Sequence, residues 1–193
     1  SIGGAGTMRL SVTDAPITDA DDVDGVYVTF TDVQYNRNGE WEYMDGFGEP
    51  QTFNLLELTG GESALLGALT LPAGTYEQIR FMVDGQQTGG GAPSNEGSWI
   101  SRDGNDTYDE GVDDPLFIPS AAQTGYKATA PEPFDVPANG VVDITADFDL
   151  RRAVVEVAAG DSYILKPVVR LVVENQAASI TGEIEYTGTV DPV

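Results

Sequence analysis

The sequence predicts an all-β fold: a two-sheet antiparallel β-sandwich, Greek-key or jelly-roll-like, with at most one or two short helical turns. Three observations carry this. Apolar and polar residues alternate in short runs. Glycine (23) and proline (11) punctuate those runs, at about the 8–12-residue spacing of sandwiches and barrels. No helical period lasts long enough for a stable helix. The length suits one domain over residues 1–193.

The elements follow in order. Met8-Arg9-Leu10-Ser11-Val12-Thr13 alternates with period two, as does Val26-Tyr27-Val28-Thr29-Phe30, continuing towards Val33 and Tyr35. Asn38-Gly39 is a tight-turn pair, and Glu40–Met44 resumes beyond it, which predicts a hairpin. Gln51–Leu55 is a short strand. Leu55–Leu58 and Ser63–Leu66 each suit one helical turn. Pro72-Ala73-Gly74 places a turn before a strand over Thr75–Val83, and Pro137-Ala138-Asn139-Gly140 does the same before Val141–Leu150. Runs over Ser162–Val173 and Ile180–Val190 complete the set. Residues 85–114 break the texture as a long Gly-rich and acidic insertion, with Ser98–Ser101 as a short strand inside it.

Composition limits the function classes. The chain has 19 Asp and 13 Glu against 7 Arg and 2 Lys, a net charge of -23. Nucleic acid is excluded as a partner, because a binder needs a basic stripe to displace counterions. With no His and no Cys there is no thiolate nucleophile, imidazole base, zinc finger or Ser-His-Asp triad. No apolar run approaches the roughly 18 residues of a transmembrane helix. At 40% hydrophobic and 9% aromatic the chain has material for a core, so it folds rather than staying disordered. Many Asp and few Lys suit either salty surroundings, where self-repulsion is screened, or an ordinary acidic secreted protein.

Two acidic clusters suggest Ca²⁺ as a cofactor, since calcium takes six to eight oxygens from a flexible loop. One holds Asp103, Asn105, Asp106, Asp109, Glu110, Asp113 and Asp114, with Gly104 and Gly111 for turns. The other holds Asp19, Asp21, Asp22 and Asp24. Neither fits an EF-hand: Thr107 and Val23 stand where a third ligand belongs. The alternative is a pair of solvated loops. Asn105-Asp106-Thr107 is an N-glycosylation acceptor triplet on Asn105. Asp147, Asp149, Arg151, Arg152, Lys166 and Arg170 group charges of both signs, as expected of cross-strand ion pairs pinning register or, alternatively, of an anion or carboxylate pocket. Trp41, Tyr43, Phe47, Trp99 and Tyr108 are candidates for a carbohydrate-stacking platform or, alternatively, core residues.

The order of several segments resembles the DUF4382 domain, a family of exported bacterial and archaeal proteins. The resemblance rests on Leu10–Pro16, Val26–Phe30, Leu55–Gly61, Leu71–Arg80, Pro119–Lys127, Asp147–Arg152 and Leu165–Leu171, in family order over residues 7–175. It implies a β-sandwich-like, usually exported and often lipid-anchored domain with no known reaction. The N-terminus lacks the lipobox cysteine, and the acidic stretch Asp103–Asp114 is an addition to the family pattern.

These observations lead to an expected function. Ser1 followed by a Gly-rich run is the kind of end left by processing, which suggests export to the cell surface or extracellular space. Ile2, Gly3, Gly4, Ala5 and Gly6 form a small-residue stretch suited to strand exchange, because main-chain hydrogen bonds need little side-chain bulk. The expectation is a non-enzymatic structural protein. It would self-associate by β-strand addition into a homopolymer, a fibre or surface layer, with calcium assisting. The alternative is a monomeric cell-surface binding or adhesion module for carbohydrate.

Overall fold

A computed structural model describes residues 4–14, 23–58, 62–84, 97–117, 125–149, 154–156, 163–165 and 168–177. Its strands are Ala5–Asp14 (β1), Gly25–Arg37 (β2), Glu40–Tyr43 (β3), Gln51–Asn54 (β4), Ala64–Pro72 (β5), Gly74–Asp84 (β6), Ser98–Ser101 (β7), Asp114–Phe117 (β8), Tyr126–Val136 (β9), Val141–Phe148 (β10), Val154–Glu156 (β11), Tyr163–Leu165 (β12) and Val169–Ala177 (β13). Among the described residues the helical element is the single 3-10 turn Leu55–Leu58, and no helix there is long and apolar enough to cross a membrane. The all-β class therefore holds. The second expected turn, Ser63–Leu66, is instead the start of β5, because Ala64 and Leu65 pair with Val12 and Ser11 of β1.

Alternation sets each strand's faces. In β10, Val142, Ile144, Ala146 and Phe148 are buried while Asp143, Thr145 and Asp147 lie on the outer side. The hairpin between β2 and β3 turns on Asn38 and Gly39, both at positive φ, which matches the right-handed twist of the flanking strands. The turn into β10 uses Asn139 at φ 56, closed by the Gly140 N–H donating to the Pro137 carbonyl at 3.1 Å.

The strands follow one hydrogen-bonded path, β11-β12-β8-β7-β2-β6-β9-β13-β10-β1-β5, with β3 and β4 also on β2. Val28 pairs with both Phe53 of β4 and Ser98 of β7, and Gln34 with both Tyr43 of β3 and Arg80 of β6. The long β2 thus carries β3 and β4 along one edge and β6 and β7 along the other. The path curls back on itself: Asp45, between β3 and β4, exchanges two backbone hydrogen bonds with Thr70 of β5, at 3.0 and 2.8 Å. The interior of the curl is the core. Phe30 of β2 and Phe81 of β6 meet Phe148 of β10 edge-to-face, each at 5.6 Å.

The expected antiparallel pairing is corrected to a mixed one, within a single hydrogen-bonded path of strands. Three pairs are parallel: β1 with β10, β12 with β8, and β13 with β9. Alternation reports which face of a strand is buried, and carries no information about the direction of its neighbour. The N-terminal strand enters between β10 and β5, and its direction makes the first of these pairs parallel.

Phe148 is 1% exposed and holds the two sides of the curl together. Phe148→Ala is expected to cost about 3–5 kcal/mol. Denaturant unfolding checks this: a loss below about 1 kcal/mol would contradict the packing.

Candidate functional site

The acidic loop between β7 and β8 is fastened by its own carboxylates. Asp103 Oδ1 accepts from the Asn105 N–H at 3.0 Å and Oδ2 from the Asn105 side-chain amide at 2.6 Å. Gly104 and Gly111 both sit at positive φ, the conformation that favours glycine. Asp113, only 5% exposed, accepts from the Arg102 and Asp109 N–H groups at 3.0 and 2.8 Å. Asp114 binds the Arg102 guanidinium through Nε and Nη2, at 2.8 and 2.7 Å, and Arg102 also donates to the Tyr163 hydroxyl at 2.7 Å. The loop is thereby tied to β12.

Asp24 donates its backbone N–H to Ser101 and lies beside Gly104. Asp24 of the second predicted calcium cluster thus lies against the loop that carries the first. Asp19, Asp21 and Asp22 lie outside the described residues. Among the described residues no three Asp or Glu side chains are grouped to hold a metal ion. Asp103, Asp113 and Asp114 spend their oxygens on the loop itself. Asp106, Asp109 and Glu110 are exposed, as is the acceptor Asn105. The field of these acids reaches the aromatics beneath: burial pushes the Tyr108 hydroxyl pKa up, and Glu110, Asp113 and Asp114 push it further.

The five aromatic candidates separate. Phe47 and Trp99 are buried, with Trp99 stacked on Tyr27 at 4.7 Å and Tyr108 against its edge. Trp41 and Tyr43 share the outer face of β3. They are candidate surface residues, whereas Phe47 and Trp99 belong to packing. Of the mixed-charge group, Asp147 lies directly opposite Arg170 and pairs with it at 3.0 Å. A second such pair, Arg9 with Asp143, spans β1 and β10 at 2.5 Å. Arg151, Arg152 and Lys166 lie outside the described residues.

The strand-exchange residues are placed differently from the expectation. Ala5 and Gly6 pair with Pro72 and Leu71 of their own chain. The Gly4 carbonyl accepts from Ala73 at 2.7 Å, and the Ala5 carbonyl from Asn139 at 2.8 Å. A Cβ on Gly6 would collide with the Pro137 carbonyl and the Val136 side chain, so the small residue serves close backbone approach within the chain. Ile2 and Gly3 lie outside the described residues.

An open sheet edge lies elsewhere. β13 and β9 pair only at Arg170 and Thr129 among the described residues. Beyond that point β9 reads Ala130-Pro131-Glu132-Pro133 and bulges, since four of its residues face one residue of β6, Glu77. Proline has no N–H to offer a ladder. The result is a groove of about 550 Å³ lined by Pro131–Phe134 on one side and Arg170–Val173 on the other. Leu171 and Phe134, both buried, belong to its walls. No sequence motif marks it. Two prolines inside a strand-like run were the available signal.

A family model described as a domain of unknown function, DUF4382, matches residues 5–167. No curated protein and no solved structure matches the chain.

Asp113→Ala removes both acceptors from a buried turn and is expected to cost about 2–3 kcal/mol. At about 2–4 °C per kcal/mol for a chain of this size, thermal melting reads the loss directly, and an unchanged melting temperature would contradict the role. Asp103 adds a pH prediction. The Asn105 N–H, outweighing partial desolvation, holds its carboxyl below the ordinary value. The fastening is therefore fully present above the unfolded value of about 3.9 and lost as pH falls through the lower folded value. A carboxyl titration by NMR that finds Asp103 ionising at or above 3.9 would overturn this.

Proposed function

The chain belongs to the DUF4382 family, and we propose that it is a non-enzymatic extracellular structural protein, a subunit of a cell-surface fibre or layer assembled by β-strand addition. The observation that supports this is the β13 edge. From Leu171 onward, its backbone groups on the β9 side lack a strand partner among the described residues, over a groove lined by Pro131, Pro133, Phe134, Leu171, Val172 and Val173 with Glu132 and Arg170. An incoming strand satisfies those groups by main-chain hydrogen bonds and covers the apolar residues of the groove.

The proposed donor is residues 180–190 of a neighbouring copy, which lie outside the described residues. In sequence they alternate, with Ile180, Ile184, Tyr186 and Val190 on one face and Thr181, Glu183, Glu185, Thr187 and Thr189 on the other. The link Gln176-Ala177-Ala178-Ser179 contains no Gly, Pro, Asn or Asp, and Ser179 is its one residue of a type common in turns. Repeated head to tail, such a contact builds an open filament.

Charge sets the conditions. Subunits of charge -23 repel, and at about 1 M salt the Debye length falls to about 3 Å. In this reading calcium acts by neutralising exposed Asp106, Asp109 and Glu110 between subunits.

The test compares the full chain with one ending at Ala178, by light scattering and electron microscopy in about 1 M salt with calcium. The full chain is expected to polymerise and the shortened chain to stay monomeric while binding a peptide of residues 180–190. A full chain that stays monomeric under these conditions sinks the proposal, including the case where the shortened chain still captures the peptide, which would place the segment in its own slot.

A further inference from the structure

The outer face of β3, β2, β6 and β9 differs from the rest of this acidic surface. One cross-strand row runs Tyr43, Gln34, Arg80, Lys127. Beside it, Trp41 pairs with Asn36 and Gln78 with Thr129. In a chain with 32 acidic residues, these eight positions hold no carboxylate, two cations, two aromatics and three amides. The nearest acid along β2, Asp32, is engaged by the Val33 N–H at 2.8 Å.

The two cations are also placed unlike three of the other described arginines. Arg9, Arg102 and Arg170 each pair with an aspartate. Among the described residues neither Arg80 nor Lys127 has a carboxylate partner. The Arg80 guanidinium lies 3.9 Å from the centre of the Trp41 ring, and Lys127 Nζ lies 5.8 Å from it. Arg80 reaches Gln34 Oε1 only at 3.4 Å, and its Nε is buried without a partner. The stacking stabilises the cation through the ring quadrupole and leaves its hydrogen-bonding capacity largely unused. Tyr43 is 57% exposed at the end of the same row.

We infer that this face is a binding platform for a polysaccharide that carries carboxylated sugars. Each part of such a ligand finds its chemical counterpart here. Trp41 and Tyr43 offer ring surfaces to the apolar face of a pyranose. Asn36 and Gln78 offer donors and acceptors to hydroxyls, while Gln34, buried in the same row, lies beneath Arg80. Lys127 and the free edge of Arg80 meet the carboxylate with charge-assisted hydrogen bonds. A neutral sugar would leave the cations unanswered. A peptide anchor would want a deep apolar pocket, which a flat sheet face lacks. The platform lies on the opposite edge of β9 from the groove along β13, so it stands independently of the assembly reading.

The electrostatics make a sharp test. A polyuronate is repelled at long range by a protein of charge -23, while contact at the platform is short-ranged. Binding of polygalacturonate to the full chain should therefore strengthen between about 0.01 M and about 1 M salt, as the Debye length shrinks from about 30 to about 3 Å. Calorimetry at the higher salt should show binding of polygalacturonate and none of neutral dextran. Lys127→Gln and Tyr43→Ala, both exposed substitutions, should each weaken it about tenfold, a change of about 1.4 kcal/mol, without moving the melting temperature. Trp41→Ala should abolish it. Absence of binding at high salt, equal binding of dextran, or affinity indifferent to Lys127→Gln and Tyr43→Ala would each overturn the inference.

Discussion

The contact of Phe148 with Phe30 and Phe81 is the interaction on which the rest of the structure depends. β10 lies several strands from β2 and β6 along the sheet, so these rings meet only if the sheet curls. Once it curls, the inner face of every strand has something to pack against, and Leu10, Val28, Ile79, Ile144 and Leu171 all become buried. Edge-to-face geometry adds direction to what would otherwise be non-specific burial. The closing bonds between Asp45 and Thr70 are then a consequence: they bring two edges together that the core has already brought close.

The two seams of the curl are unequal. At one, Asp45 and Thr70 bond through their backbones, and the Gln51 side chain reaches the Leu66 carbonyl at 2.7 Å. At the other, Pro131 and Pro133 turn β9 away from β13 after a single paired position. An unpaired edge is a liability in a soluble protein, because it templates association. Here the edge runs beside a largely apolar groove that Glu132 and Arg170 also line, and Val172 is exposed along it.

Charge is distributed with the same economy. The loop acids at Asp103, Asp113 and Asp114 act as fasteners for a turn, and the paired acids Asp143 and Asp147 bind arginines across strands. Exposed Asp106, Asp109 and Glu110 form part of a solvated coat. The face around Trp41 is the exception, and it gains contrast from the coat that surrounds it.

The sequence by itself determined the class of the fold and most strand positions, because alternation and turn chemistry are local. β6 and β10, the Asn38-Gly39 hairpin and the Leu55–Leu58 turn lie where the pattern put them. β9 was harder to see, since prolines interrupt its alternation, and Ser63–Leu66 was ambiguous because so short a run suits either state. Composition also determined what chemistry is absent, through the lack of His and Cys. Only the tertiary structure decided the rest. Strand direction, the parallel place of β1 and the in-chain use of Gly6 depend on which distant segments become neighbours. The same holds for the site residues. Spacing gathered carboxylates that the fold spends on backbone N–H groups and an arginine, and five aromatics that the fold divides between core and surface. Arg80 and Lys127 are 47 positions apart in the chain. They share a platform because β6 and β9 pair, and pairing over such a distance is set by the core, which no local pattern records.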